Sequence, residues 1–325
     1  MTYVDTMLEK VLRGEAISRE EALRLYEEPL EELASAAQEL RARVNGNGFD
    51  LCSILNGKSG RCSENCKFCA QSSHCHTQIE KYPLVSRDAI IEAALLNARS
   101  GALRFSVVTS GKRLSDAEID VLCEAFVEIR KRSDIALCVS IGLQSQAQFE
   151  RLRASGVTRS HNNLETSRRF FPSICTSHTY DEKIAALTAA RNAGMTLCSG
   201  GIFGLGETLE DRVDMALTLR ELGIKSIPIN IFTSIPGLSE PLVSQARLRS
   251  EEVERIVAVY RFILPDASLR LAGGRLLLSD QGRGAFCSGA NAAITGHMLT
   301  TDGINAPQDL KILKELGFEP KRLND

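Results

Sequence analysis

Three cysteines, Cys62, Cys66 and Cys69, stand in the run Cys62-Ser-Glu-Asn-Cys66-Lys-Phe-Cys69, with three residues between the first pair and two between the second. Thiolates are soft ligands, and three of them on one short loop can hold three corners of a four-iron, four-sulfide cube. The fourth iron stays open, and an open iron is a place for chemistry. Zinc is a competing occupant, but a structural zinc site wants four ligands, commonly as two separated pairs. Only His74, Cys75 and His76 follow closely enough to supply a fourth. A disulfide pattern fits less well, because three adjacent cysteines cannot all pair with one another.

This spacing resembles that of the radical S-adenosylmethionine enzymes. Beside it, Phe68 offers a ring that could pack on a nucleobase, although an aromatic there is more commonly simple packing. A second motif is Cys198-Ser-Gly-Gly-Ile-Phe-Gly-Leu-Gly-Glu207. Its Gly200, Gly201, Ile202 and Gly204 would form a wall that a sulfonium or adenine can approach closely; the same glycines also suit a plain turn. A third is His161-Asn162-Asn163-Leu164-Glu165-Thr166. Its amides suit neutral ligands with donors and acceptors, and its carboxylate suits ribose hydroxyls, with capping of the next helix as the alternative.

Cys52, Cys138 and Cys198 each fall inside an expected strand, as does Arg270. A single strand cysteine is ordinarily a small core residue. Three on different strands of one barrel converge on one interior, where a buried arginine needs an anionic partner. Cys287 is a further inward candidate, Cys123 lies on an apolar helix stripe, and Cys75 and Cys175 carry no assigned role.

The elements that must position these residues alternate in kind. Residues 16–45 read as helical: Ser18-x-x-Glu21 is a capping box, and Leu30, Leu33, Ala37, Leu40 and Val44 recur at spacings of three and four. From residue 49, short β-rich runs alternate with amphipathic helices. Ser115-x-x-Glu118 and Thr179-x-x-Glu182 open two of the helices, and Gly101, Gly156, Gly194 and Gly223 close four of them. Strands are expected at 51–55, 103–109, 135–141, 158–164, 195–202, 226–232, 269–271 and 291–295. Eight strands with helices between them predict an α/β fold, a (β/α)8 TIM-type barrel. An open doubly wound sheet is the alternative. Residues 1–48 then form an N-terminal helical extension, and residues 49–325 a single barrel domain with a C-terminal helix. In that fold, active-site residues belong at the C-terminal ends of strands, where the cysteine loop falls.

The composition narrows the partners. A net charge of −2 over 325 residues argues against nucleic acid or an anionic membrane surface. No stretch approaches the roughly 18 apolar residues of a membrane span. Ten cysteines in such a chain read as reduced ligands or core residues, which predicts a cytoplasmic protein.

Taken together, residues 45–305 resemble the biotin synthase family. The resemblance is carried by the Cys62–Cys69 loop with Ala-Gln-Ser after it, Asn163-Leu-Glu-Thr-Ser, Cys198-Ser-Gly-Gly-Ile-Phe-Gly-Leu-Gly-Glu, Ile227-Pro-Ile-Asn230 and Leu269-Arg270-Leu-Ala-Gly-Gly-Arg. It implies a homodimeric barrel that inserts sulfur into dethiobiotin. A 4Fe-4S cluster and S-adenosyl-L-methionine would be its cofactors, with electrons from a flavodoxin- or ferredoxin-type donor. By the same resemblance Asn163 and Glu165 contact S-adenosylmethionine, Asn230 contacts the ureido ring of dethiobiotin, and His161 stands near the substrate where the family often has asparagine. The family's sulfur source is an auxiliary 2Fe-2S cluster on three strand cysteines and an arginine. Cys138, Cys198 and Arg270 match three of those positions, but Ser106 replaces the remaining cysteine. Serine is a hard, poorly ionised ligand for iron. The expectation is therefore that Cys52, Cys138 and Cys198 hold a four-iron auxiliary cluster. Two alternatives are a related radical enzyme of hydrogenase maturation or mutase type acting on another small molecule, and a non-enzymatic iron-sulfur or zinc protein.

Overall fold

A computed structural model of the chain describes residues 1–238, 242 and 247–325. The short apolar runs become β1 (Gly48–Lys58), β2 (Arg104–Thr109), β3 (Ala136–Ser140), β4 (Val157–His161), β5 (Thr196–Cys198), β6 (Gly201–Phe203), β7 (Ser226–Ile231), β8 (Ser268–Leu271), β9 (Ala292–Thr295) and the short β10 (Glu319–Pro320). All pairings among them are parallel. Neighbours follow chain order from β1 to β9, and β9 returns to pair with β1 at Asp50↔Ala292 through Ser53↔Thr295. That last pairing closes the sheet, so the barrel holds and the open sheet does not.

One stave differs from expectation. The run 195–202 is broken into β5 and β6 at Ser199 and Gly200, each half pairing separately with β7. Ser199 Oγ accepts the Leu164 N–H at 3.1 Å, and a Cβ at Gly200 would come within 2.0 Å of the Pro228 carbonyl oxygen. The stave breaks where backbone from β7 presses against it.

The intervening helices are α1 (Tyr3–Leu12), α2 (Arg19–Leu25), α3 (Leu30–Asn45), α4 (Arg87–Arg99), α5 (Asp116–Arg132), α6 (Gln146–Ala154), α7 (Phe171–Ile174), α8 (Tyr180–Asn192), α9 (Leu209–Glu221), α10 (Ser250–Ile263), α11 (Arg283–Cys287) and α12 (Ala306–Glu315). Ser18, Ser115 and Thr179 form their capping boxes. Gly101, Gly156, Gly194 and Gly223 all take positive φ, the left-handed step that ends a helix at least cost as glycine. Helices α1 to α3 clasp the outside of α9 and α10. Arg19 pairs with Asp214 at 2.6 Å, and Arg255 donates to the carbonyls of Tyr26 and Glu28. Val44 is 43% exposed; the buried stripe of α3 runs instead through Leu33, Ala36, Ala37, Leu40 and Arg41.

Strand alternation sorts the residues into two shells. Leu51, Phe105, Val107, Leu137, Val139, Ile227, Ile229 and Leu269 point outward into the apolar layer beneath the helices. Cys52, Arg104, Ser106, Cys138, Ser140, Arg159, His161, Cys198, Asn230 and Arg270 point inward and line a cavity of about 360 Å³. The apolar core therefore sits between sheet and helices, while the lumen mixes these polar and thiol side chains with apolar ones such as Ile54, Val108, Ile202 and Ile294.

Candidate active site

The cysteine loop leaves the C-terminal end of β1 and is folded by its own backbone. Cys62 N–H donates to Gln71 O, Ser73 N–H to Cys62 O at 2.8 Å, and Cys69 N–H to Cys66 O. Its outer edge docks on the segment between α7 and α8. Asn65 Oδ1 accepts the N–H groups of Thr176 and Ser177 at 2.9 and 3.0 Å, and Lys67 N–H reaches Ile174 O. Glu64 Oε2 accepts from Ser177 Oγ at 2.8 Å and lies 2.5 Å from His178 Nδ1.

Cys175, left without a role by the sequence, sits with its Sγ 3.6 Å from Cys66 Sγ and 3.5 Å from His178 Nδ1. The hydrogen bond between the two sulfurs, followed by burial, pushes the Cys66 thiol up, and the same bond holds Cys175 down with help from His178. His178 is itself held up by Cys175 and Glu64 against the effect of its burial. Cys66, Cys175 and His178 are the only Cys, His or acidic trio among the described residues whose ligand atoms all lie within 4.8 Å of one another. Cys62, Cys66 and Cys69 are spread more widely. Thiolates around a single zinc lie closer than that, at about 3.8 Å for ~2.3 Å bonds in a tetrahedron, so this loop suits a multi-iron group better than one ion. His74 points back to its own loop, its Nε2 3.2 Å from Ser63 O.

Cys69 and Phe68 form part of the cavity wall, opposite residues from all round the barrel. Asn163 Oδ1 accepts Gly200 N–H at 3.1 Å and lies 2.9 Å from His161 Nε2. An atom that takes a backbone N–H must be the amide oxygen, so His161 Nε2 is the donor there, and its Nδ1 accepts from Ser140 Oγ at 2.9 Å. Burial drives the His161 pKa down to about 4, so the ring is neutral and both nitrogens are committed within the protein. Glu165 adopts a left-handed φ of 73° and bridges backbone to backbone, its N–H to Gly200 O and its carbonyl to Ile202 N–H. Its carboxyl is raised by burial, partly offset by Lys183, whose Nζ is 3.9 Å away. Asn230 is held at both ends, Nδ2 donating to Gly201 O and Oδ1 accepting Gly273 N–H, each at 3.0 Å.

Of the expected wall residues, Ile202 lines the cavity and Gly200, Gly201 and Gly204 stand behind it. Pro228 and Glu165 backbone fill the space a Cβ would take at Gly200 and Gly201. Gly204 turns at φ +93° so that its N–H and that of Leu205 meet the Glu207 carboxylate. Close backbone packing at Gly200 and Gly201 and a left-handed turn at Gly204 thus account for these glycines directly.

Cys52, Cys138 and Cys198, on β1, β3 and β5, all face the deeper part of the cavity, each under 9% exposed. Burial pushes the Cys52 thiol up to about 12 and raises Cys138. Their sulfurs do not all lie within 4.8 Å of one another, a spread too wide for one ion. Ser106 stands in register with Cys138 and also faces the cavity. Arg270 Nη1 donates to Asp50 O and Ala293 O, both at 3.0 Å, and its Nη2 is 3.3 Å from Asp50 Oδ1. Asp50 keeps it cationic against burial. Arg104 and Arg159, also inside strands, line the same floor; the signal that marked Arg270 in the sequence applies to them equally. Cys287 is exposed on α11 and Cys123 is half-buried on α5, so neither joins the site.

The donor set fits both implied iron-sulfur groups. Cys62, Cys66 and Cys69 would hold the first at the barrel mouth. Cys52, Cys138 and Cys198 would hold the second below, among guanidinium groups that favour an anionic cluster.

Two family models match the chain: the radical SAM superfamily over residues 58–219 and the biotin and thiamin synthesis associated domain over 228–319. A biotin synthase of Clostridium botulinum (strain Alaska E43) is 53% identical over 98% of this chain and 100% of its own length. One of Akkermansia muciniphila is 52% identical over 98% and 99%. Among solved structures, methylornithine synthase (PylB) superposes with a TM-score of 0.83 over 97% of each chain at 18% identity, a likeness of fold alone. With a closed barrel, a three-cysteine loop at its mouth and this identity along nearly its whole length, the chain belongs to the biotin synthase family of radical S-adenosylmethionine enzymes.

Proposed function

We propose that the chain converts dethiobiotin to biotin by S-adenosylmethionine-dependent radical insertion of sulfur, the sulfur coming from an auxiliary cluster in the barrel. The observation that carries this reading is one cavity lined at its mouth by Cys69, Phe68, Asn163 and Glu165 and at its floor by Cys52, Cys138, Cys198 and Arg270. A radical generator and a sulfur store would face the same space, with Asn230 between them.

When bound, the four-iron cluster and S-adenosylmethionine supply a 5′-deoxyadenosyl radical able to take hydrogen from unactivated carbon. The chain's own residues position and exclude. Asn163 and Glu165 present an amide and a carboxylate to the nucleoside side, oriented by Gly200 and His161. Asn230, fixed by two backbone groups, offers its second N–H and its second lone pair to a cyclic urea. His161, neutral and doubly bonded, acts through Asn163. Arg270, cationic and tied to Asp50, serves as a counter-charge to the auxiliary cluster, while Cys52 takes the ligand position that Ser106 vacates. That substitution favours a four-iron auxiliary cluster over a 2Fe-2S one.

Within the same proposal, residues 1–48 are an extension to a single barrel domain, and the enzyme is a cytoplasmic homodimer reduced by a flavodoxin- or ferredoxin-type donor. Buried free thiols suit a reducing compartment. No helix among the described residues is long and apolar enough to cross a membrane.

The test is anaerobic incubation of the reconstituted protein with S-adenosylmethionine, reductant and dethiobiotin. Biotin should form together with 5′-deoxyadenosine. Deoxyadenosine without biotin would point to another substrate, and absence of both would remove the enzymatic reading.

A further inference from the structure

The proposed reaction gives no role to Cys175 or to its contact with Cys66. Cys66 belongs to the cysteine loop, whereas Cys175 and His178 lie in the segment between α7 and α8. The two sulfurs are 3.6 Å apart, and Cys175 Sγ is 3.7 Å from His178 Nε2. Tetrahedral zinc, with bonds of ~2.3 Å to sulfur and ~2.05 Å to nitrogen, sets edges of about 3.8 Å between sulfurs and about 3.6 Å from sulfur to nitrogen. Both contacts fit such edges. All three ligand atoms lie within 4.8 Å of one another, as those of no other Cys, His or acidic trio among the described residues do.

The imidazole is oriented from its far side. Glu64 Oε2 lies 2.5 Å from His178 Nδ1 and also accepts from Ser177 Oγ at 2.8 Å. A carboxylate that holds the Nδ1 proton leaves the Nε2 lone pair for a metal, the arrangement commonly found behind a zinc-binding histidine. The frame is built by protein contacts alone. Asn65 Oδ1 accepts the N–H groups of Thr176 and Ser177, and Lys67 N–H reaches Ile174 O, so the two ligand-bearing segments are locked together. Cys175 and His178 are buried and Cys66 is half-buried, which gives an ion its way in from the Cys66 side and leaves the fourth position to water.

We propose that Cys66, Cys175 and His178 form a zinc(II) site in the chain before its loop cluster is built. The two thiols release their protons to solvent on binding, and nothing is oxidised or reduced. Thiolate and imidazole donors at these spacings select zinc over the hard cations. Cys66 serves one group at a time, so zinc and the loop cluster exclude one another. The site itself needs no part of the substrate reading; the exclusion rests on Cys66 as a cluster ligand.

The experiment uses the full-length chain, stripped of metal and titrated anaerobically with zinc against a chromophoric chelator. One tight zinc per chain is expected, weakened about a hundredfold or more by Cys175→Ala, since losing even an outer-shell partner costs about 10–100-fold. Cys62→Ala keeps all three ligands and should bind zinc as the parent does. Zinc X-ray absorption on the unmodified protein should show two sulfur neighbours and an imidazole, a readout that needs no variant. Equal affinity in Cys175→Ala, a matching loss in Cys62→Ala, or a shell of three sulfurs overturns the site. Reconstituted protein should take up no zinc in this shell; zinc held there beside an intact loop cluster overturns the exclusion. Reductive cleavage of S-adenosylmethionine, recorded on the same reconstituted protein, reports the cluster separately. Its absence would count against the radical reading instead of the zinc site.

Discussion

Oε2 of Glu64 lies 2.5 Å from Nδ1 of His178, across 114 residues of chain. Glu64 sits between the first two cysteines of the loop and His178 just before α8, so this contact pins the iron-binding loop to the barrel wall. The expected result of His178→Ala is a loop that still folds but releases iron faster. Loss of a charged hydrogen bond, about 1.5–3 kcal/mol, corresponds to roughly tenfold or more. Iron release from the reconstituted protein into a chelator under anaerobic conditions measures it; equal rates in both proteins would show that the contact does not hold the loop.

Cys52→Ala should lower the iron content per chain while leaving reductive cleavage of S-adenosylmethionine in place, because Cys62, Cys66 and Cys69 are untouched. Iron and sulfide assays on the anaerobically reconstituted variant and parent decide it. About four irons in each, enough for a single cubane, would rule out Cys52 as an auxiliary ligand.

Asn230→Ala removes an amide that two backbone groups hold in place. The half-saturating concentration of dethiobiotin should rise about tenfold or more, since a buried hydrogen-bonding pair is lost to the ligand. Cleavage of S-adenosylmethionine without substrate should change little. A steady-state titration that shows the same half-saturation would exclude Asn230 from the substrate site.

Asp211, fully buried at the start of α9, accepts from Ser167 Oγ at 2.5 Å, from Thr208 N–H at 2.9 Å and from Arg169. Burial pushes its carboxyl up, but these donors outweigh burial and hold it below the usual range. A depressed carboxyl pKa contributes stability that is fully present above the unfolded value of about 3.9. It is lost as pH falls through the folded value. Asp211→Asn should therefore destabilise the protein at pH 7 by about 1–3 kcal/mol and make its unfolding midpoint less sensitive to pH below ~4. Denaturant unfolding across that range reads both effects, and parallel curves would contradict the assignment.

Gly200→Ala would place a Cβ 2.0 Å from the Pro228 carbonyl oxygen, while Gly223→Ala meets open space at φ +63°. The first should cost about 1–3 kcal/mol through forced backbone movement, and the second about 1 kcal/mol from its left-handed φ alone. Thermal melting of the two variants side by side gives the comparison. A Gly200→Ala melting point no lower than that of Gly223→Ala would mean that β7 yields easily.

Local chemistry was readable in the sequence. The spacing of Cys62, Cys66 and Cys69, the boxes at Ser18, Ser115 and Thr179, and the helix-ending glycines depend on neighbours within a few residues, and the structure forms each cap and turn as expected. The eight-stave alternation was readable because period and punctuation are local too. Long-range geometry was not. Cys175 meets Cys66 across 109 residues and Arg159 meets residues 323 and 324 across 164 and 165, and nothing in either neighbourhood marks such a partner. Closure of the sheet, the split of the fifth stave by β7 backbone, and the choice of one neutral tautomer for His161 are likewise set by contacts between distant segments. The sequence by itself determined which side chains could bind iron, nucleoside and urea. Only the tertiary structure decided which of them share one cavity, because strand order and register, rather than residue type, determine which inward-facing positions meet.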